Sequence, residues 1–201
     1  MDIRTASPRT APPTSPPASG PVESAPAAES TTTAPRRPTA DDVALLGFAQ
    51  AVELAARDLY QAALDGGLAD SDFADVFTTL RDNHKEYANR LSGILGVDAP
   101  QQRDDALFDE LVGGFEGGDA VDVATSGTEL ESTIVATHTD LIGRLEGVDG
   151  FAAIASFLVV EARHGTVLAD VAGHGDDLDA MLVAEGEPLT PPDGAAGWRT
   201  T

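Results

Sequence analysis

Residues 157–164 read Phe-Leu-Val-Val-Glu-Ala-Arg-His. Four apolar residues lead into Glu161, and His164 follows three positions later. On a helix, positions i and i+3 share a face, so this carboxylate and this imidazole point the same way. A carboxylate that continues an apolar run either turns outward to water or meets a partner inside, because an unpaired buried charge is costly. Carboxylate oxygens combined with imidazole suit iron or manganese held inside a helical bundle. The alternative is a polar pair satisfied within the bundle or at its surface.

The run lies in a long helix that is expected to start at Asp149 and stop at Gly173. Three other Ala/Leu-rich segments carry similar punctuation, with Asp, Ser or Thr at the start and Gly just past the end. The first is expected from about Asp41 to Asp65, ahead of Gly66 and Gly67. The second starts at Asp70-Ser71-Asp72 and stops at Gly96, and the third begins at Asp119 or Thr125 and runs to Glu146, ahead of Gly147. The short links within each pair force antiparallel neighbours. Helices two and three are separated by residues 97–118, with a short helix expected around Ala106 to Val112. A helix of ~24 residues is ~36 Å long, whereas a link of ~22 extended residues reaches ~75 Å. The link can therefore return the chain along the whole bundle. The expected fold is all-α, an antiparallel four-helix bundle with one long crossover between helices two and three.

The two hairpins read as repeats. Leu80, His84, Tyr87, Leu91, Leu95 and Gly96 match Phe157, Glu161, His164, Leu168, Ala172 and Gly173 at a constant offset of 77. Glu53, Tyr60 and Leu64 match Glu131, His138 and Ile142 at an offset of 78. Glu53, His84, Glu131 and Glu161 each fall near the middle of their helix, so each helix offers a metal-ligand candidate near one level of the bundle. Ion pairs with Arg57, Arg81 or Arg163 are the alternative for Glu53 and Glu131, and a surface position is the alternative for His84. Tyr60 and His138 lie two turns from the Glu pair, ~10 Å along the axis, and are read as packing or supporting groups, as is Tyr87.

These residues carry a resemblance. Leu46, Glu53 to Tyr60, His84 to Gly96, Glu131 and Glu161-x-x-His164 make residues 42–173 similar to the ferritin-like superfamily, among the bacterial ferritin-like domain proteins. The resemblance implies one Glu on each of two helices and Glu-x-x-His on the other two, holding a carboxylate-bridged pair of iron or manganese ions. It implies oxygen or peroxide chemistry, usually ferroxidase-like oxidation of ferrous iron. Glu53, Glu131, Glu161 and His164 match that pattern. Helix two departs from it, with His84-Lys85-Glu86-Tyr87 where Glu-x-x-His is expected. Three carboxylates bring −3 against +4 from two divalent ions, so a second ion is held less well. The metal ligands expected are thus Glu53, His84, Glu131, Glu161 and His164, for one or two ions. The rival function is a non-catalytic bundle with a degenerate site, acting as a stress-related or interaction protein.

Composition narrows the rest. The 201 residues carry 34 Asp and Glu against 12 Lys and Arg, a net charge of −22. Such a chain is repelled by nucleic acid and by anionic membranes. With no Cys there is no disulfide, thiolate zinc site or thiol nucleophile. The glycine-rich 113–118 stretch lacks the Lys and the preceding strand of a phosphate loop. The longest mostly apolar run, Phe151 to Val160, falls short of the ~20 residues of a membrane span. With no signal peptide read, a cytoplasmic location is expected. Partners consistent with this are metal ions and further copies of the chain as a homo-oligomer. Residues 1–40 hold nine of the thirteen Pro and are expected to be disordered. The bundle is expected over 41–184. A flexible tail should follow over 185–201, where Trp198 is either a docking anchor or part of a disordered end.

Overall fold

The computed structural model describes residues 33–182 and 185–191. Its elements are six helices: α1 (Ala40–Asp65), α2 (Ala74–Leu95), α3 (Asp105–Leu111), α4 (Ala120–Ile142), α5 (Val148–Ala169) and α6 (Leu178–Leu182). α1, α2, α4 and α5 form the expected four-helix bundle.

α1 begins in a capping box. Asp42 N donates to Thr39 Oγ1 at 3.2 Å, and Thr39 N donates to Asp42 Oδ2 at 2.8 Å. Ala49, Ala51, Ala55, Ala56 and Ala63 are buried around its circumference, so neighbouring backbones approach from several sides. α2, α4 and α5 each bury a single stripe at helical spacing. In α2 the stripe is Phe77, Leu80, His84, Ala88, Leu91 and Leu95.

The crossover follows α1. Gln101 N donates to Gln50 Oε1 and Asp104 N to Ala51 O, while Arg103 pairs with Asp58 at 3.3 Å. Farther along, Phe115 drops its ring edge-on to Tyr60, with centroids 5.5 Å apart. α3 is the short helix expected inside this link.

Three boundaries differ from the sequence reading. α2 begins at Ala74, because Ser71 Oγ donates to Leu68 O and accepts from Phe73 N, closing a 3₁₀ turn over Leu68–Asp70 instead of capping a helix. α4 stops at Ile142, before Gly143, and not at Gly147. The reason is tertiary: Asp42 of α1 accepts from Glu146 N at 2.9 Å and Gly147 N at 2.8 Å, which draws those residues out of the helix. α5 ends at Ala169 and passes through a π turn, Asp170–His174, where Gly173 adopts φ +92°.

The start of α5 is held from the N-terminal side, since Val148 N donates to Pro35 O and Asp149 N to Arg36 O. The rest of the stretch expected to be disordered, 1–32, lies outside the described residues, as does Trp198. Near the other end, Leu189 N donates to Thr137 Oγ1 at 2.9 Å, which lays this part of the C-terminal segment against α4. Val148–His174 is long and apolar enough to cross a membrane by length and composition alone. In the bundle its Glu161 and His164 are buried against α2 and α4.

Candidate metal centre

The core stripes of the four long helices carry polar residues where they converge. On α1, Glu53 continues the line Ala49, Ala56, Tyr60; on α2, His84 continues Phe77, Leu80, Leu91. On α4, Glu131 and His138 flank Ile134; on α5, Glu161 and His164 lie between Phe157 and Leu168. Glu53, His84, Glu131, His138 and Glu161 are 0% exposed and His164 is 5%. A packed bundle puts such residues in its core only when their charges are matched there.

His84 stands in the middle. Its Nδ1 is 2.8 Å from Glu53 Oε2 and 3.8 Å from Glu161 Oε1, and its Nε2 is 3.1 Å from Glu131 Oε1. His164 Nδ1 lies 3.4 Å from both Glu131 Oε2 and Glu161 Oε2. The far nitrogen, Nε2, is 2.9 Å from the Asn83 side-chain amide. As the amide stands, Asn83 Nδ2 faces Nε2, and Nδ1 faces the carboxylates. Such an orienting partner is usual for metal-binding histidines.

His138, read from sequence as a packing or supporting group, belongs to the cluster. Its Nε2 is 3.2 Å from Glu53 Oε1, too poorly aligned for a hydrogen bond. Tyr60, also placed two turns away, donates its hydroxyl to Glu131 Oε1 at 2.6 Å. Both follow from the antiparallel run of α1 and α4. Seven residues forward from Glu53 to Tyr60 are matched by seven back from His138 to Glu131. Gly127 makes room for this contact, since a Cβ there would sit 3.2 Å from the Tyr60 hydroxyl. The candidates therefore occupy two levels along the bundle and not one plane.

All five residues expected as ligands converge here. His84 is fully buried, which overturns its surface alternative. The arginines proposed as partners of Glu53 and Glu131 are engaged elsewhere or exposed: Arg57 pairs with Asp58, Arg81 with Asp82, and Arg163 lies on the surface. Tyr87 stacks on Phe157 with ring centroids 4.4 Å apart and meets His84 edge-on, so its role is packing. The missed signal for His138 was the repeat itself, which equates it with Tyr60 and places both on core stripes.

Charge is nearly balanced. Burial disfavours a charged His84, but Glu161, Glu131 and Glu53 outweigh it and hold its pKa well above the ordinary imidazole value. His164 is likewise opposed by burial and raised, to about 9, by Glu131 and Glu161. Burial also works against the charged forms of Glu53 and Glu131, yet the surrounding imidazoles bring both below the usual carboxyl range. Glu161 goes the other way. Burial, with repulsion from Glu131 and Glu53, pushes it well above that range despite His84. Glu53 and Glu131 are thus held toward their charged forms, as are His84 and His164, while Glu161 is the carboxyl held toward its neutral form.

Two sets of donors could each hold an ion. One atom from each of His84, Glu131, Glu161 and His164 falls within 4.8 Å of the others, and so does one from each of Glu53, His138 and Glu161. Glu161 is common to both. The donor atoms are also incompletely used. Glu53 Oε1, Glu131 Oε2, both oxygens of Glu161, both ring nitrogens of His138 and His164 Nδ1 are buried with no hydrogen-bond partner among the described residues. Unpaired buried atoms of this kind are rare. Their concentration at one point, on oxygen and imidazole donors, fits a metal ion.

Comparison with curated proteins and with solved structures gives no match. Comparison with family models matches residues 41–174 to the ferritin-like domain. That span runs from the first turn of α1 to the π turn after α5 and encloses every residue of the cluster. By its bundle, its buried carboxylate–imidazole centre and this match over two-thirds of its length, the chain belongs to the ferritin-like domain family.

Proposed function

We propose that this chain holds iron or manganese in the bundle core, with places for two ions that share Glu161. His84, Glu131 and His164 would complete one place, and Glu53 and His138 the other. The observation carrying this reading is the set of unpartnered oxygen and nitrogen atoms common to two donor groups. When bound, such an ion supplies one-electron redox chemistry, of which oxidation of ferrous iron by oxygen or peroxide is the reaction proposed here.

The protein's own residues would prepare the centre. His84 and Glu161, both held toward their protonated forms, would serve as donors only once deprotonated. Loading therefore releases protons. Tyr60 fixes Glu131 through its hydrogen bond, and Asn83 fixes His164. Buried Phe77, Phe115 and Phe157 help exclude water.

A second reading has its own support. His84, set between three carboxylates, already acts as an internal cation, which suits a bundle stable without metal and serving as an interaction protein. Anaerobic addition of ferrous iron, desalting and mass-spectrometric counting separates the two. One or two ions per chain, lost in Glu161→Gln, is the result expected. No retained metal in a folded protein would favour the second reading.

A further inference from the structure

We propose that the crevice between α4 and α5 is the port through which a divalent cation reaches the core, and that residues 178–182 and 185–191 form its cover. This deepens the metal-binding reading and rests on it. A cavity of about 210 Å³ lies between the two helices, with Glu131 and Glu161 among the residues that line it. Glu131 Oε2 and both Glu161 oxygens are buried and unpartnered, so two residues of the crevice wall carry unused oxygen donors just behind it. Two other cavities, one lined by Gly173–Asp179 residues and one beside Arg37 and Arg90, touch no member of the centre.

The wall is mixed, with Val135, Met181, Leu182 and the exposed Arg163 beside its hydroxyl groups. Thr128, Ser132 and Thr166 place hydroxyls along the crevice. Thr128 donates to Ala124 O and Thr166 to main-chain carbonyls, so their oxygen lone pairs remain available to accept from a cation's water shell. At Gly165, also on this wall, a Cβ would meet only Glu131 Cβ, at an ordinary 3.9 Å. The net charge of −22 draws cations toward the protein.

The cover is lightly held. Met181 and Leu182 form part of the cavity wall, and Thr166 Oγ1 donates to Met181 O at 2.9 Å. Farther on, Gly186 lies so close to the Ser132 carbonyl that a Cβ would overlap it, and Leu189 N donates to Thr137 Oγ1. Leu178 and Leu182 remain 68% and 73% exposed, so little apolar burial anchors α6. Segments with few buried contacts open at low cost. The π turn, with Gly173 in the left-handed region, provides the bend from which α6 departs.

The absence of cysteine permits a clean test. Ala162→Cys on the full chain places one thiol at the exposed mouth, and Val97→Cys places one at a fully exposed control position away from it. Each folded protein is capped through a disulfide with either a methylthio group or a bulky aromatic thiol. Cobalt(II) loading is then followed by stopped flow, and its final stoichiometry is measured. The bulky cap at 162 should slow loading about tenfold, equivalent to a barrier increase of ~1.4 kcal/mol, while leaving the stoichiometry unchanged. The methylthio cap should not slow it comparably, reductant followed by desalting should restore the rate, and the control caps should have no effect. Thr166→Val, which frees Met181 O, should speed loading about threefold if the cover opens on the loading timescale. Equal rates with both caps at 162, with cobalt still bound, would overturn the port and leave the metal reading intact. An unchanged rate in Thr166→Val would overturn the cover. Failure of the uncapped parent to bind cobalt would remove the metal reading and the port together.

Discussion

Replacing His84 by Leu tests the charge balance of the metal-free core. Leu roughly fills the volume but leaves Glu53 and Glu131 without the imidazolium that lies 2.8 and 3.1 Å from them. Stranding a buried charge costs about 3–5 kcal/mol. The same figure follows from protonation. A carboxyl with an ordinary value of 4.5 held neutral at pH 7 costs about 1.4 kcal/mol per pH unit, or about 3 kcal/mol. For a domain of this size that lowers the melting temperature by roughly 6–20 °C. The deficit should shrink to about 1–2 kcal/mol near pH 5, where protonating the stranded carboxyls is cheap. Adding Glu131→Gln should recover part of the loss at pH 7. The assay is circular dichroism melting of chelator-treated protein at both pH values. A loss under ~2 °C at pH 7, or one of equal size at pH 5, would refute the claim that His84 is the internal cation.

Metal-free protein should lose stability as pH rises from 6.5 to about 9. His164 has its folded pKa raised to about 9, so its contribution, on the order of 3 kcal/mol, is full below the unfolded value and lost through that window; urea titrations at fixed pH values would read the slope. Cobalt(II) or manganese(II) at about a hundred times its dissociation constant should stabilise the chain by roughly 2.7 kcal/mol, an effect that chelator reverses and Glu161→Gln removes. Tyr60→Phe, which deletes the 2.6 Å hydrogen bond to Glu131, should cost about 1–3 kcal/mol by denaturant unfolding. Asp42→Ala removes the acceptor of three backbone N–H groups and should cost roughly 2–4 kcal/mol by the same measurement.

The helices were legible because Gly and Asp mark their ends and because the apolar positions recur at helical spacing. Errors came where a distant partner intervened. Nothing near Gly147 announces that Asp42, more than a hundred residues earlier, takes its N–H. Ser71 could cap a helix or close a turn, and only the fold decides. Glu53, His84, Glu131, Glu161 and His164 were readable as polar interruptions of apolar stripes. His138 was not, because its distance from Glu131 was judged along α4 alone. Across the antiparallel neighbour the same seven-residue step brings it beside Glu53. The 178–191 segment gave no periodic signal, since α6 is a single short helix with its large apolar residues outward.

The crossed pairs Glu53–His138 and Tyr60–Glu131 have a consequence for how the core would fill. The two halves of the bundle supply matching backbone positions, but in one half the position after the carboxylate carries an imidazole and in the other a phenol. Across α2 and α5, Tyr87 and His164 differ in the same way, and His84 stands where the other half has Glu161. A near-symmetric frame thus presents two unequal sets of donors. A titration would then show two separated affinities, with the four-donor place occupied first and the three-donor place trailing it.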